Sequence, residues 1–327
     1  MTRILITGGA GYIGSHTAKR LSQAGFEPVT IDDLSAGNEW AVKWGPLVKG
    51  DIGDQKLIRD VVTEHRIQAV LHFAAHAYVG ESIIDPRKYF RNNVARTLNM
   101  LDTLIDCSVK QIIFSSSCAT YGNPERVPIA ESHPQRPVNP YGESKLMVER
   151  ILGWYGHAYG IKSACLRYFN AAGADPDGDL GERHAPETHL IPLVMLAAVG
   201  TNDSVSVFGT DYPTPDGTAI RDYTHVCDLA DAHVLALEYL MNGGASVELN
   251  IGTGQGHSVL EVIQAVEQVS GRPVPVRQTE RRAGDPPVLV ADAAKASQVL
   301  NWRARFPDLR EIVRTAWTWH SRHTNPA

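Results

Sequence analysis

The chain is poor in cysteine and has no long apolar run. Four cysteines, Cys107, Cys118, Cys165 and Cys227, stand far apart in 327 residues. No CxxC spacing occurs, so neither a zinc site nor a disulfide framework is implied; reduced thiols fit a cytoplasmic protein. The longest apolar stretch, Leu190 to Val199, is too short to cross a bilayer, and no membrane partner is expected. The opening MTRILITGGAGYIG is too short and too glycine-rich for a signal peptide. Positive charge is not in excess: the formal net charge is -5. Basic residues are scattered rather than interleaved with aromatics, which argues against a nucleic-acid partner. Internal repeats are missing. His184, His189, His225 and His233 show no HxH or HExxH spacing, so no metal site is expected.

What is present is ordinary for a soluble enzyme: 43% hydrophobic and 20% charged residues. The length exceeds what one hydrophobic core usually serves, which predicts two lobes. RILIT, EPVTI, AVLHFA, QIIFSSS and KSACLRYF read as buried strands. Tyr12 to Ala24, Asp54 to Arg66, Asn92 to Cys107 and Tyr141 to Tyr159 read as helices between them. This alternation predicts an α/β fold, a Rossmann-type doubly wound parallel sheet with a smaller mixed α/β substrate-binding lobe. After Asn170 a long polar stretch rich in Gly and Pro breaks the pattern, and shorter elements follow. VELNIG reads as a late strand added to the main sheet. The lobes therefore interleave: 1–175 plus roughly 224–255 for the sheet, roughly 176–223 plus 256–327 for the smaller lobe.

Gly8, Gly11 and Gly14 form GxxGxxG between the first strand and the first helix. Such glycines allow a tight turn and close approach of the backbone to a pyrophosphate, which faces the helix N-terminus. Asp32, with Asp33 beside it, ends the second strand eighteen residues after Gly14. An acid there accepts from ribose hydroxyls and repels a 2′-phosphate, and no arginine follows in DDLSAGN, so NAD is favoured over NADP. GDI (Gly50 to Ile52) and HFAA (His72 to Ala75) close further strands at the ligand-bearing edge. Asp51 is expected to reach an adenine amino group there, though taken singly each of these stretches equally reads as loop. Ser115-Ser116-Ser117 ends the fifth strand, and NPYGESK places Tyr141 and Lys145 one helical turn apart. By itself that pair favours a core tyrosine beside a solvated lysine, since a helix shows the spacing often by chance. Beside a nicotinamide it describes a base: oxidising a carbinol needs its O–H proton removed, and an ammonium plus a positive ring favour the phenolate. Lowering a phenol by three pKa units needs about 4 kcal/mol.

GGAGYIGSH, GDI, VGES, NNV, FSSSCATYG, NPYGESKLMVE, LRYFNAAGA, IRDYTHVCDLADAH and RRAGD occur in order along the whole chain. Together they resemble the UDP-glucose (UDP-galactose) 4-epimerase group of the extended short-chain dehydrogenase/reductase family. The resemblance implies tightly held NAD, a UDP-sugar substrate, a 4-keto intermediate that turns over, and a homodimer through the helices Asn92–Cys107 and Tyr141–Tyr159. It implies Tyr141 as base, Lys145 on the nicotinamide ribose and Ser117 on the 4-hydroxyl. Tyr12, Ile13, Asp32, Asp51, Ile52, Phe73 and Asn92 fall where the family contacts NAD; Asp33, Ala74 and Ala75 adjoin them. Phe169 borders nicotinamide and sugar. Asn170, Arg221 and Arg282 match contacts to the UDP-sugar, and Asp285 the uridine ribose. His189, followed by Leu190, replaces an asparagine found at the uridine site. Ala77 replaces a lysine some members place on the NAD phosphate. Leu289 is intermediate between the large residue of sugar-restricted members and the small one of permissive members. UDP-xylose/UDP-arabinose and UDP-N-acetylglucosamine 4-epimerases therefore stand as alternatives. A dehydratase or decarboxylase is a further one, but Cys118-Ala119-Thr120 lacks the Asp-Glu pair a dehydratase needs. A silent NAD-binding scaffold is opposed by the intact Ser, Tyr and Lys.

Overall fold

The computed structural model describes residues 2–282 and 284–323. The chain opens with β1 (Arg3–Thr7), α1 (Tyr12–Gln23), β2 (Glu27–Asp32), β3 (Leu47–Lys49), α2 (Gln55–His65) and β4 (Ala69–His72). Two short helices, α3 (Val79–Ile84) and α4 (Pro86–Tyr89), lead through a π-helical stretch (Phe90–Arg96) into α5 (Thr97–Asp106). Then come β5 (Gln111–Ser117), α6 (Pro140–Tyr159) and β6 (Lys162–Tyr168). These strands and the later β10 form one seven-stranded sheet in the order β10-β6-β5-β4-β1-β2-β3. All its pairings are parallel. Parallel strands covered on both faces read as near-continuous apolar runs, and Ile4, Leu5 and Ile6 have no exposure. The sheet grows outward from β1 through β2 and β3, then resumes on the other side of β1 at β4. That reversal is a switch point, where the strand ends splay and leave a crevice.

The second half adds β7 (Asn170–Ala172), α7 (Leu190–Ala198), β8 (Val205–Phe208), β9 (Ile220–His225), α8 (Val226–Met241) and β10 (Val247–Ile251). It ends with β11 (Gly256–Ser258), α9 (Val259–Ser270), β12 (Val276–Thr279), β13 (Val288–Leu289), α10 (Ala294–Leu300) and α11 (Leu309–His323). VELNIG is indeed the edge strand β10 beside β6. A smaller sheet joins β11, β9, β13 and β7, while β12 pairs with β8. Helices α7, α9 and α11 bury Ile191, Val194, Val262, Val266, Ile312 and Val313 in a core of their own. By contrast Ala296, Leu300 and Trp302 pack with the main sheet's core, against β10 and α8.

Two expectations change. The helix expected over Asn92–Cys107 is preceded by α4 and begins as a π turn. Its cause is local: buried Asn93 uses its side chain on the backbone of His76 and on Ser144 Oγ. The polar stretch after Asn170 is ordered at its start by β7 and by Lys19 of α1. That ammonium donates to Asp175, Asp177 and Asp179 at 2.7, 2.8 and 2.9 Å.

Candidate active site

The glycine turn forms as its spacing predicts. Gly8 has φ +71°, and a Cβ there would lie 2.6 Å from the backbone nitrogen of Ala74. A Cβ on Gly14 would lie 2.3 Å from the carbonyl oxygen of Gly8, so the first turn of α1 packs directly on the loop. Gly11 is the N-cap and offers no side-chain acceptor. The free N–H groups of this first turn, at Tyr12 and Ile13, are what a pyrophosphate accepts from, so the donor set fits a dinucleotide. The Tyr12 ring turns away: its hydroxyl donates to the carbonyl of Gly173 at 2.6 Å, which leaves only its backbone for a cofactor.

At the end of β2, Asp32 is 7% exposed and accepts from the N–H of Ala10 (3.0 Å) and of Leu34 (2.9 Å). Burial raises its pKa, and these two bonds partly counter that. Asp33 is exposed and occupied with Ser35. Asp51 is paired with Arg96 at 3.0 Å, Ile52 is buried in the core, and Asn92 accepts from Arg96 at 2.8 Å. Arg96 was missed by the sequence reading. It comes from the π stretch, too distant in sequence from DDLSAGN to be weighed with it. Its charge is committed to Asp51, with Asp33 at 3.9 Å. Phe73, Ala74 and Ala75 are half-buried just past β4, the Phe73 ring 4.6 Å from that of His233.

Ser117, Tyr141 and Lys145 converge. Asn139 caps α6 by accepting from the N–H of Gly142 at 2.8 Å, and Pro140 takes the position where no N–H is needed. The cap fixes the first turn, which carries Tyr141, against the end of β5. Burial pushes the Tyr141 phenol up to about 12, and a hydrogen bond with Ser117 pulls the other way. Lys145 is 3% exposed; its Nζ donates to the Ser115 carbonyl at 2.7 Å and lies 5.9 Å from the Tyr141 ring. Burial lowers its pKa to about 7. Within the cofactor-free protein, Ser117 is the side chain that pulls the Tyr141 phenol down.

Across the crevice the substrate-side candidates gather less tightly. Phe169 is 8% exposed and packs with Cys118, Tyr121, Ile129 and Ala291, with Leu289 against them. Asn170 starts β7, His189 precedes α7 and Leu190 begins it. Arg221 and Asp285, expected on different parts of the ligand, are bonded to each other. Arg282 is exposed, its guanidinium 3.9 Å from the Phe208 ring centre. Sequence reasoning also missed Glu149 and Arg167, a buried pair at 2.6 Å beneath the triad. Glu149 lies one further turn along the Tyr141–Lys145 face, the signal that marks it.

The NAD dependent epimerase/dehydratase family matches residues 4–252. The UDP-glucose 4-epimerase of Rhizobium meliloti is 52% identical, over 98% of this chain and 97% of the relative. Among solved structures, the UDP-glucose 4-epimerase of Brucella ovis in complex with NAD has a TM-score of 0.95 at 52% identity. That match covers 97% of this chain and 98% of the other. The UDP-glucose 4-epimerase of Stenotrophomonas maltophila, with bound NAD and formylated UDP-arabinopyranose, has a TM-score of 0.95 at 42% identity. It covers 99% of this chain and 100% of its own.

Proposed function

The chain belongs to the NAD dependent epimerase/dehydratase family, and on that premise we propose how its residues divide the work of a UDP-glucose/UDP-galactose 4-epimerase. It is an NAD-dependent UDP-sugar 4-epimerase, and so an isomerase. One observation carries the residue assignment: Tyr141 and Lys145, one turn apart on α6, with Ser117 bonded to the phenol at the end of β5.

Tyr141 takes the proton of the sugar's 4-hydroxyl and returns it within one turnover. Ser117 holds the reacting oxygen in line. Lys145, anchored on the Ser115 carbonyl, meets the nicotinamide ribose. Bound NAD supplies a hydride acceptor that also gives the hydride back. Gly8, Gly11, Gly14 and the backbone of Tyr12 and Ile13 receive the pyrophosphate. Asp32 and Asp33 receive the adenosine ribose, Asp51 and Ile52 the adenine. Phe73, Ala74, Ala75 and Asn92 line the remaining cofactor surface. Arg221 and Arg282 serve the diphosphate of the substrate, where a planar fork meets phosphate oxygens. Asp285 serves the uridine ribose; Phe169, Asn170, His189, Leu190 and Leu289 border the nucleotide and sugar. The glycine-turn sheet holds the cofactor (1–175 with 224–255) and the rest holds the UDP-sugar, with α10 packed on the first. We place the enzyme in the cytoplasm, in keeping with its four free thiols. No helix among the described residues is long and apolar enough to cross a membrane.

Tyr141→Phe is expected to lower kcat by at least 10³-fold while UDP and NAD still bind. Normal turnover by that variant overturns the assignment. Comparing kcat/KM for UDP-glucose, UDP-N-acetylglucosamine and UDP-xylose tests the sugar. A preference for either of the last two replaces the hexose reading.

A further inference from the structure

Between β7 and α7 the sequence GERHAPETH repeats Glu-x-His five residues apart: Glu182-x-His184 and Glu187-x-His189. The fold closes the two halves on each other. His189 Nδ1 lies 2.9 Å from a carboxylate oxygen of Glu182 and 2.9 Å from one of Glu187. His184 Nδ1 lies 3.3 Å from Glu182 and 3.5 Å from Glu187. The two glutamate side chains are only 5% and 10% exposed. Donor atoms from all four residues lie within 4.8 Å of one another.

Hydrogen bonds satisfy this cluster unevenly: one Glu187 oxygen accepts from the N–H groups of Thr188 and His189 and pairs with His189 Nδ1, while His184 is left out. An imidazole carries at most one proton on Nδ1, yet each Nδ1 faces two carboxylates. The buried Nδ1 of His184 lacks hydrogen-bond alignment with either. A central cation satisfies all four at once. Four N/O ligands around zinc at 2.0–2.1 Å form a tetrahedron with edges of about 3.3–3.4 Å, inside the range seen here. Two carboxylates and two neutral imidazoles also balance a divalent charge, which a buried set requires. We propose that Glu182, His184, Glu187 and His189 bind a divalent transition metal, zinc by donor set, which ties the loop after β7 to the start of α7. With all four positions taken by protein the ion is structural. The HxH and HExxH spacings expected of metal sites concern imidazoles alone; the carboxylate two residues before each histidine completes this one. Asp175, Asp177 and Asp179, the other acidic group nearby, already hold the Lys19 ammonium.

The holoenzyme, treated with dipicolinate and then dialysed against micromolar Zn²⁺ or Mg²⁺, tests this by elemental analysis. About one zinc per chain is expected, with no magnesium retained and a higher Tm with zinc. Glu187→Gln and His184→Ala should each lose that zinc, while Asp177→Asn should keep it. X-ray absorption on the zinc-loaded wild type should give an N/O shell at about 2.0–2.1 Å with an imidazole signature, whether or not the variants fold. Absence of stoichiometric zinc, undiminished zinc in Glu187→Gln, or sulfur in the shell overturns the proposal, and the four residues are then a proton-bridged cluster.

Discussion

Lys145 stands where a lysine is least comfortable. Nearly all of its side chain is buried, and its one hydrogen bond goes to a neutral carbonyl. Its folded pKa of about 7 lies below the ordinary lysine value. Between these values the unfolded chain binds a proton that the folded chain does not. Stability therefore rises with pH across that window, and the cost of Lys145 is complete below pH 7. The full window corresponds to about 4–5 kcal/mol, offset in part by the Ser115 bond. Lys145→Met is thus expected to stabilise the cofactor-stripped protein by about 2 kcal/mol at pH 7, while lowering activity. The gain should shrink steadily towards pH 10. Urea denaturation at pH 6, 7, 8.5 and 10 measures it; a gain that grows with pH, or a loss at pH 7, contradicts the burial argument. In the cofactor-free protein the same burial holds Tyr141 protonated at neutral pH, so the phenolate that takes the sugar's proton requires the positive nicotinamide beside it.

α6 connects the chemistry to the sheet. Tyr141, Lys145 and Glu149 fall at successive turns of one face, and Glu149 is gripped by Arg167 of β6 through bonds of 2.6, 2.9 and 3.2 Å. Arg167 also donates to Tyr121, whose own hydroxyl donates to Asn250 of β10 at 2.7 Å. Removing one member leaves a buried charge alone. Glu149→Leu is expected to cost about 3–5 kcal/mol, and adding Arg167→Met to recover most of it. Chemical denaturation of the two single variants and the double variant gives the coupling; additive losses would mean the pair is not a clamp. This clamp marks the limit of what the sequence made legible. Strands β1, β2, β5 and β6 were plain because burial on both faces leaves short, mostly apolar runs. YxxxK was weak alone and stood out only beside the glycine turn and the serine at a strand end. Arg167 was read as part of the strand KSACLRYF, since a buried charge carries no pattern until its partner is known. β11, β12 and β13 span two to four residues, too few for any periodicity, and exist through pairing with distant strands. The π turn before α5 depends on Asn93 reaching His76 and Ser144, contacts with no local sequence signature.

At the scale of the whole molecule, the outer side of α6 is the unfinished part. Trp154 follows Lys145 by nine residues, which at about 100° per residue places it on the opposite side of the helix. It is 73% exposed, and Tyr159 is 50% exposed at the same helix's end. Ile83 and Ile84, 58% and 86% exposed, belong to α3, which packs beside α6. Large exposed apolar side chains such as Trp154 mark a contact surface. The proposed homodimer would bury this flank by pairing α5 and α6 with their copies about a two-fold axis. Sedimentation equilibrium at micromolar concentration should return twice the chain's mass. Trp154→Arg, far from the triad, should shift the population towards monomer with near-UV circular dichroism otherwise kept. A wild type that sediments as monomer refutes the dimer; a Trp154→Arg variant that stays dimeric moves the interface to another face. Because α6 also carries Tyr141 and Lys145 on its inner side, loss of the dimer is expected to raise KM more than it lowers kcat, the pattern of a loosened support rather than a lost base.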